Sequence, residues 1–198
     1  MIIIGLTGSI AMGKSTTAQM FREAGCPVFD ADKQVHGLYE KNGAMVPIIK
    51  SVFPDSVSGG VINRQKLGEH MRADALHLKV LESFVHPMVA GAREEFLETH
   101  SDAEIVVMDV PLLFETGGES YVDHIVVVTA PAKLQRERVL ARPNVTEALF
   151  ESLLARQMSD ADKRKKADSL IFTDKGLESA REQVHDLLSR LRAHGRAA

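Results

Sequence analysis

The chain has 198 residues, of which 44% are hydrophobic and 26% charged, with a formal net charge of -3. That length suits one buried core with a modest insertion beneath an ordinary polar surface, not two independent domains. The mildly acidic balance argues against nucleic acid or an anionic membrane as an obligatory partner, and the single cysteine, Cys26, rules out an intramolecular disulfide.

Met1-Ile2-Ile3-Ile4 is too short for the apolar stretch of a signal peptide and lacks a charged leader, and no apolar run approaches membrane-spanning length. A cytoplasmic protein is expected. Ile2 to Leu6 is a short apolar run, the signature of a fully buried parallel strand. A helix follows Lys14 with Ala18, Phe21 and Ala24 at helical spacing and Gly25 as its stop. Cys26 to Phe29 is expected as the second strand, with the cysteine packed inside it. The segment from Asp32 to about Thr99 differs, with Val80, Leu81, Phe84, Val85, Met88 and Val89 at helical spacing and no central strand. It is expected to be a mainly helical insertion containing a turn at Val57 to Ile62. Glu104 to Val110, His124 to Thr129 and the weaker Ser169 to Phe172 complete five strands. Helices are predicted over Ala132 to Leu140, Thr146 to Ser159 and Leu177 to Arg192, with Ala193 to Ala198 fraying. Strands alternating with helices imply crossover connections, hence an α/β fold whose parallel sheet is covered on both faces.

Gly8-Ser9-Ile10-Ala11-Met12-Gly13-Lys14-Ser15 meets the pattern G-x-x-x-x-G-K-S/T in full. Glycines at its ends let the backbone turn tightly against phosphate oxygens. Backbone groups of Gly8, Ala11, Met12 and Gly13 would cradle the phosphates, at the positive end of the helix that follows. Lys14 would reach the β- and γ-phosphates, Ser15 would ligate Mg²⁺, and Thr16 would add a hydroxyl near the α-phosphate. An apolar strand before the loop and an amphipathic helix after it supply the context that this mechanism requires. The guanine-reading pattern N-K-x-D of a GTPase is missing from the chain.

A small-molecule kinase needs in addition a carboxylate for the acceptor hydroxyl, cations for the migrating phosphoryl and a lid. Asp30 and Asp32 follow the second strand, at the sheet edge that also carries the loop. Either acid could instead cap the next helix. His36 lies one helical turn beyond Asp32, on the same cleft or on the surface. Val106-Val107-Met108-Asp109 is an apolar strand closing on a carboxylate, which could hold a metal ion through water. The unusually apolar Pro111-Leu112-Leu113-Phe114-Glu115 follows it as a candidate pocket wall. From Lys133 to Lys166 nine Lys or Arg stand against five Asp or Glu. In that stretch Gln135, Arg138, Arg142 and Arg156 are candidates for the transferred charge. Arg138 and Arg142 are expected on one helical face, as a lid clamp or a solvated surface.

These segments together resemble the dephospho-CoA kinase family. The family's G-L-T-G-G-I-G-S-G-K-S is similar to Gly5 through Ser15, and its D-A-D to Asp30-Ala31-Asp32. Its L-E-x-x-x-H-P is met by Leu81 to Pro87 and its P-L-L-F-E by Pro111 to Glu115. The pattern Q-x-x-R-x-x-x-R is met by Gln135, Arg138 and Arg142, and a later R-Q-x-S…K…A-D by Arg156, Gln157, Ser159, Lys163, Ala167 and Asp168. The resemblance implies a three-layer fold of the P-loop nucleoside-triphosphate hydrolase type, with a five-stranded parallel core. It implies a core over about 1–31, 100–132 and 167–198, a helical acceptor-binding insertion over about 32–99 and a lid over about 133–166. It also implies transfer of the γ-phosphoryl of ATP to the ribose 3′-hydroxyl of dephospho-CoA, with Asp32 as catalytic base. Lys14, Arg138 and Arg142 would carry developing charge, Arg142 also binding ATP. Asp32, His36, His86, Leu113, Phe114 and Glu115 would hold the acceptor. Ser9 and Ala11 depart from the family's usual glycines, and the added Cβ of Ala11 is harmless if its φ is negative. Thr173-Asp174-Lys175 stands where an asparagine-containing turn is common, so no adenine contact is carried over. A kinase for a nucleoside, nucleotide or shikimate-like acceptor and a non-catalytic nucleotide sensor are the rival readings.

Overall fold

In the computed structural model, which describes residues 1–195, strand β1 (Ile2–Thr7) runs through the phosphate motif into helix α1 (Lys14–Glu23) and strand β2 (Val28–Asp30). The segment Asp30–Thr99 then folds as a unit of its own. It holds α2 (Ala31–Leu38), α3 (Met45–Val52), the strands β3 (Val57–Ser58) and β4 (Val61–Ile62), α4 (Arg64–Ala73) and α5 (Ala75–Thr99). The chain returns to the first unit with β5 (Ile105–Asp109), β6 (His124–Thr129), α6 (Ala132–Leu140), α7 (Glu147–Leu154), α8 (Asp160–Lys165), β7 (Ser169–Phe172) and α9 (Leu177–Gly195).

The five long-range strands form a parallel sheet in the order β2-β5-β1-β6-β7. Alternate residues of its central strands, Ile4, Leu6, Ile105, Val107, Val126 and Val128, point to one face. Ala18 and Phe21 of α1 and Val184, Leu187 and Leu188 of α9 cover that face and exclude water from it. Leu113 and Val122 press on the opposite face at Gly5. Helix α1 carries the chain from β1 toward β2, whereas the chain from β5 to β6 passes to the other side of β1. The strand order therefore reverses at β1, and the carboxyl end of β1 opens on the crevice where ligands bind in such sheets.

All five expected strands are present, and the boundaries that differ have local causes. Strand β2 starts at Val28 because Cys26 belongs to the end of α1. The Gly25 N–H donates to the Arg22 carbonyl at 3.0 Å and the Cys26 N–H to the Phe21 carbonyl at 3.0 Å, with Gly25 at φ 86. This is a Schellman stop, in which glycine accepts the left-handed conformation. Cys26 remains buried as a packing residue, and burial pushes its thiol up from the ordinary range. The predicted 146–159 helix stops at Leu154, and an unforeseen helix, α8, starts at Asp160 with Ser159 as its cap. Ala193, expected to fray, lies within α9, and residues 196–198 lie outside the described residues. The turn at Val57 to Ile62 is a two-stranded antiparallel hairpin.

The second unit has its own core of Met45, Val46, Ile49, Phe53, Ile62, Leu67, Leu81 and Val85. Leu81 and Val85 are thus the inward residues of the α5 pattern, Met88 and Val89 are half-buried, and Val80 and Phe84 face outward. Among the described residues no helix is long and apolar enough to cross a membrane.

Two glycine substitutions separate close approach from helix propensity. A Cβ on Gly8 would lie 2.6 Å from the Val128 carbonyl oxygen, whereas one on Gly91, in the exposed middle of α5, would meet nothing within 4 Å. Gly8→Ala should lower unfolding free energy by about 1–3 kcal/mol through overpacking against backbone. Gly91→Ala should raise it by about 0.5–1 kcal/mol. Urea titrations of both variants check the pair of signs.

Candidate active site

The phosphate loop leaves β1 at Thr7, whose hydroxyl donates to the Pro111 carbonyl at 2.9 Å. Gly13 caps α1 at φ 98 without a side-chain cap, and no acidic residue stands in the first turn. The helix therefore offers its leading N–H groups and its positive end to an anion with no carboxylate competing for them. Ser15 and Thr16 are exposed there, while Thr17 is buried and donates to the Gly13 carbonyl.

The outer side of the loop is held by side chains from distant segments. Gln135 donates from Nε2 to the Ile10 carbonyl at 2.8 Å, and the Ile10 N–H donates to Oε1 of Gln157 at 3.1 Å. Thr173, in the loop after β7, donates from Oγ1 to the Met12 carbonyl at 2.8 Å. Met12 itself is buried, and its sulfur accepts from the Ala130 N–H. Ala11 sits at φ 60, so the condition for a harmless substitution is not met: its Cβ is strained by about 1–2 kcal/mol relative to glycine.

Arg138 and Arg142 do not share a helical face. Helix α6 ends at Leu140, because Pro143 pushes the residue before it out of the helical region. Arg138, in the last turn, donates Nη1 to Thr173 Oγ1 at 2.8 Å and Nη2 to the Thr173 carbonyl at 2.6 Å. Arg142 lies past the helix and is exposed, as is Arg156.

Asp109 closes β5 beside Leu6 of β1, and its Oδ1 accepts from Lys14 Nζ at 2.5 Å. Lys14, the first residue of α1, and Asp109, the last of β5, thus form a nearly buried ion pair at the base of the loop. A second pair joins α8 to the loop after β5. Lys163 of α8 is fully buried and reaches Glu115 Oε1 at 2.9 Å and the Pro111 carbonyl at 3.2 Å. Glu115 also accepts from the Met158 N–H at 2.7 Å. Burial alone would raise the Glu115 carboxyl, but Lys163 and the Met158 amide outweigh it and hold the group below the ordinary glutamate range. In the same loop Leu113 is fully buried, Phe114 is buried with Lys166 Nζ 5.3 Å above its ring, and Leu112 is exposed.

In the second unit, Asp30 accepts from the Lys33 N–H at 2.9 Å and is the N-cap of α2. Asp32 stands exposed in the first turn. His36 Nδ1 meets Arg64 Nη2 at 3.0 Å and its Nε2 lies 3.8 Å from Glu40. His86 is exposed in mid-α5, and Pro87 beside it removes the amide that would have bonded to the Ser83 carbonyl.

A family model described as dephospho-CoA kinase matches residues 2–179. A dephospho-CoA kinase of Mesorhizobium japonicum is 51% identical over 194 residues, 97% of this chain and 98% of that protein. One of Agrobacterium fabrum is 49% identical over 195 residues, 98% of this chain and the whole of its own. The chain belongs to the dephospho-CoA kinase family. A crystal structure from Thermus thermophilus superposes with a TM-score of 0.80 at 33% identity, covering 96% of this chain and 97% of the other. A shikimate kinase from Acinetobacter baumannii reaches 0.52 at 17% identity over 98% of this chain and 94% of its own, a likeness of fold. The five-stranded parallel sheet with the phosphate loop after its first strand is accordingly a P-loop kinase fold.

Four residues with contacts described above, Gln157, Lys163, Thr173 and Arg64, have no role among the sequence expectations. Gln157 and Lys163 stood in a matched motif, which gave a signal but no partner. Thr173 and Arg64 gave none. Lys163→Met should cost about 1–3 kcal/mol at pH 7, because it leaves the partly buried Glu115 carboxylate without its cation. The depressed Glu115 group contributes stability above the unfolded pKa of about 4.3, and that contribution is lost as pH falls through the lower folded value. The cost of Lys163→Met should therefore shrink at pH 4. Urea midpoints at both values check it, and a cost independent of pH would contradict the pairing.

Proposed function

We propose that the chain transfers the γ-phosphoryl group of ATP to the ribose 3′-hydroxyl of dephospho-CoA, yielding coenzyme A and ADP. The observation that carries this reading is the phosphate loop on β1 with Lys14 held at its base by Asp109. An ion pair at 2.5 Å holds the ammonium against Asp109 at the end of β5 until triphosphate oxygens compete for it. Lys14 then stabilises charge on the β- and γ-phosphates together with Arg138 and Arg142. Arg142 is exposed beyond α6, and Arg138 is anchored to Thr173. We assign residues 133–166 as the lid, residues 32–99 as the acceptor-binding insertion, and the remaining segments as the nucleotide-binding core.

Asp32 is the base in this reading. Asp30 is committed to capping α2, whereas Asp32 is exposed in its first turn. Its carboxylate takes the proton of the 3′-hydroxyl as that oxygen bonds to the γ-phosphorus, and the bond from phosphorus to the bridging oxygen breaks to release ADP. His36 and His86 are assigned to the acceptor. Arg64, 3.0 Å from His36, adds a cation suited to the acceptor's phosphates. Leu113, Phe114 and Glu115 are assigned to the acceptor as well; within the first unit Leu113 and Phe114 are buried and Glu115 anchors their loop through Lys163. Ser15 and Asp109 are hard oxygen donors of the kind Mg²⁺ takes, and the ion would neutralise charge on the triphosphate when bound. A cytosolic setting without nucleic-acid or membrane partners suits the acidic charge balance and the single buried thiol.

Asp32→Asn should lower kcat by about 10²–10⁴-fold, the usual worth of a general base. ATP affinity should stay within about twofold, since the base makes no contact needed for nucleotide binding in the ground state. Steady-state ADP release and equilibrium ATP binding measured on one preparation check both halves. Retained turnover would move the base elsewhere.

A further inference from the structure

The strained residue in the phosphate loop and the two glutamines outside it belong to one device. Ser9 to Met12 forms a turn, closed by the Met12 N–H donating to the Ser9 carbonyl at 3.2 Å. Its third residue, Ala11, has φ 60, while Ile10 before it is not among the positive-φ residues. This is the signature of a type II turn, which calls for glycine at the third position. A type I turn closes with the same end-to-end hydrogen bond and suits alanine. The two differ by about a half-turn of the peptide plane between the central residues. Here that plane is the Ile10–Ala11 peptide, and its carbonyl and N–H point in opposite directions. Flipping it would turn the Ala11 N–H away from the inner side of the loop.

Alanine biases this choice the wrong way, since a left-handed φ costs it about 1–2 kcal/mol. Something outside the turn must hold the strained form. The Ile10 carbonyl accepts from Gln135 Nε2 at 2.8 Å, which anchors the outer end of the disputed peptide. The Ile10 N–H donates to Gln157 Oε1 at 3.1 Å, which anchors the peptide before it. Gln135 is 6% exposed, so a flip would leave its amide desolvated and without this acceptor.

We propose that Gln135 and Gln157 are positioning residues that lock the Ile10–Ala11 peptide in the type II orientation, keeping the Ala11 N–H turned to the triphosphate against the preference of alanine. The proposal rests on the phosphate-loop reading, and it gives the segments that carry both glutamines a direct hold on nucleotide affinity. Neither glutamine touches nucleotide in this account.

The test is a double-mutant cycle on the full chain, with MgADP binding measured by titration calorimetry. Gln135→Met keeps length and burial but removes the donor. It should weaken MgADP binding about fivefold to tenfold in the native chain, and by less than about twofold in the Ala11→Gly background, where glycine needs no clamp. Ala11→Gly alone should tighten binding. Thermal melts confirm folding, and Gln157→Met run through the same cycle gives a second reading if Gln135→Met does not fold. Equal losses in the native and the Ala11→Gly backgrounds would show a merely structural role and overturn the proposal, as would no loss in the native chain. Lys14→Ala separates the underlying reading: undiminished MgADP affinity there would contradict the phosphate loop itself, whatever the glutamines do.

Discussion

A phosphate-binding loop must present backbone N–H groups to an anion in a conformation that the chain would not choose alone, and the first unit is organised around that constraint. The sheet order β2-β5-β1-β6-β7 places β1 at the centre, so its carboxyl end is flanked by the ends of β5 and β6. Val128 of β6 approaches Gly8 too closely for a side chain, Ala130 holds Met12 by its sulfur, and Thr173 beyond β7 holds the Met12 carbonyl. Each contact fixes the loop from outside and leaves its inner side for ligand. A loop fixed in advance loses little freedom on binding, which is the physical content of preorganisation.

Charge is arranged in the same spirit. Lys14 at the start of α1 meets Asp109 at the end of β5, and Lys163 of α8 meets Glu115 in the loop after β5. Lys14, Asp109 and Lys163 are largely removed from water, so each is costly to leave alone. In the proposed reaction the Lys14–Asp109 pair opens when a triphosphate offers more oxygens than one carboxylate can. The Lys163–Glu115 pair is completed by the Pro111 carbonyl and the Met158 amide.

Much of this was legible in the chain. Buried parallel strands leave continuous β-branched runs, and all five were readable, even the short Ser169–Phe172. The phosphate motif names its own residues because its mechanism needs glycine, lysine and a hydroxyl at fixed spacing. What escaped the sequence was set by tertiary contact. Gln135 and Gln157 reach Ile10 across 125 and 147 residues, and no local pattern announces such a partner. The positive φ of Ala11 is likewise imposed by the surroundings against local preference. The expected shared face of Arg138 and Arg142 fails for a nearer reason: Pro143 disfavours the helical region for Arg142, so α6 ends before it.

The proposed activity turns on which hydroxyl receives the phosphoryl group. ADP release, followed with ATP and one acceptor at a time, compares dephospho-CoA with adenosine, AMP and shikimate. ADP should appear in step with consumption of dephospho-CoA alone, and phosphorus NMR of the product should show a new monoester on the ribose 3′-oxygen. Strong stimulation by adenosine or AMP with none by dephospho-CoA would contradict the account.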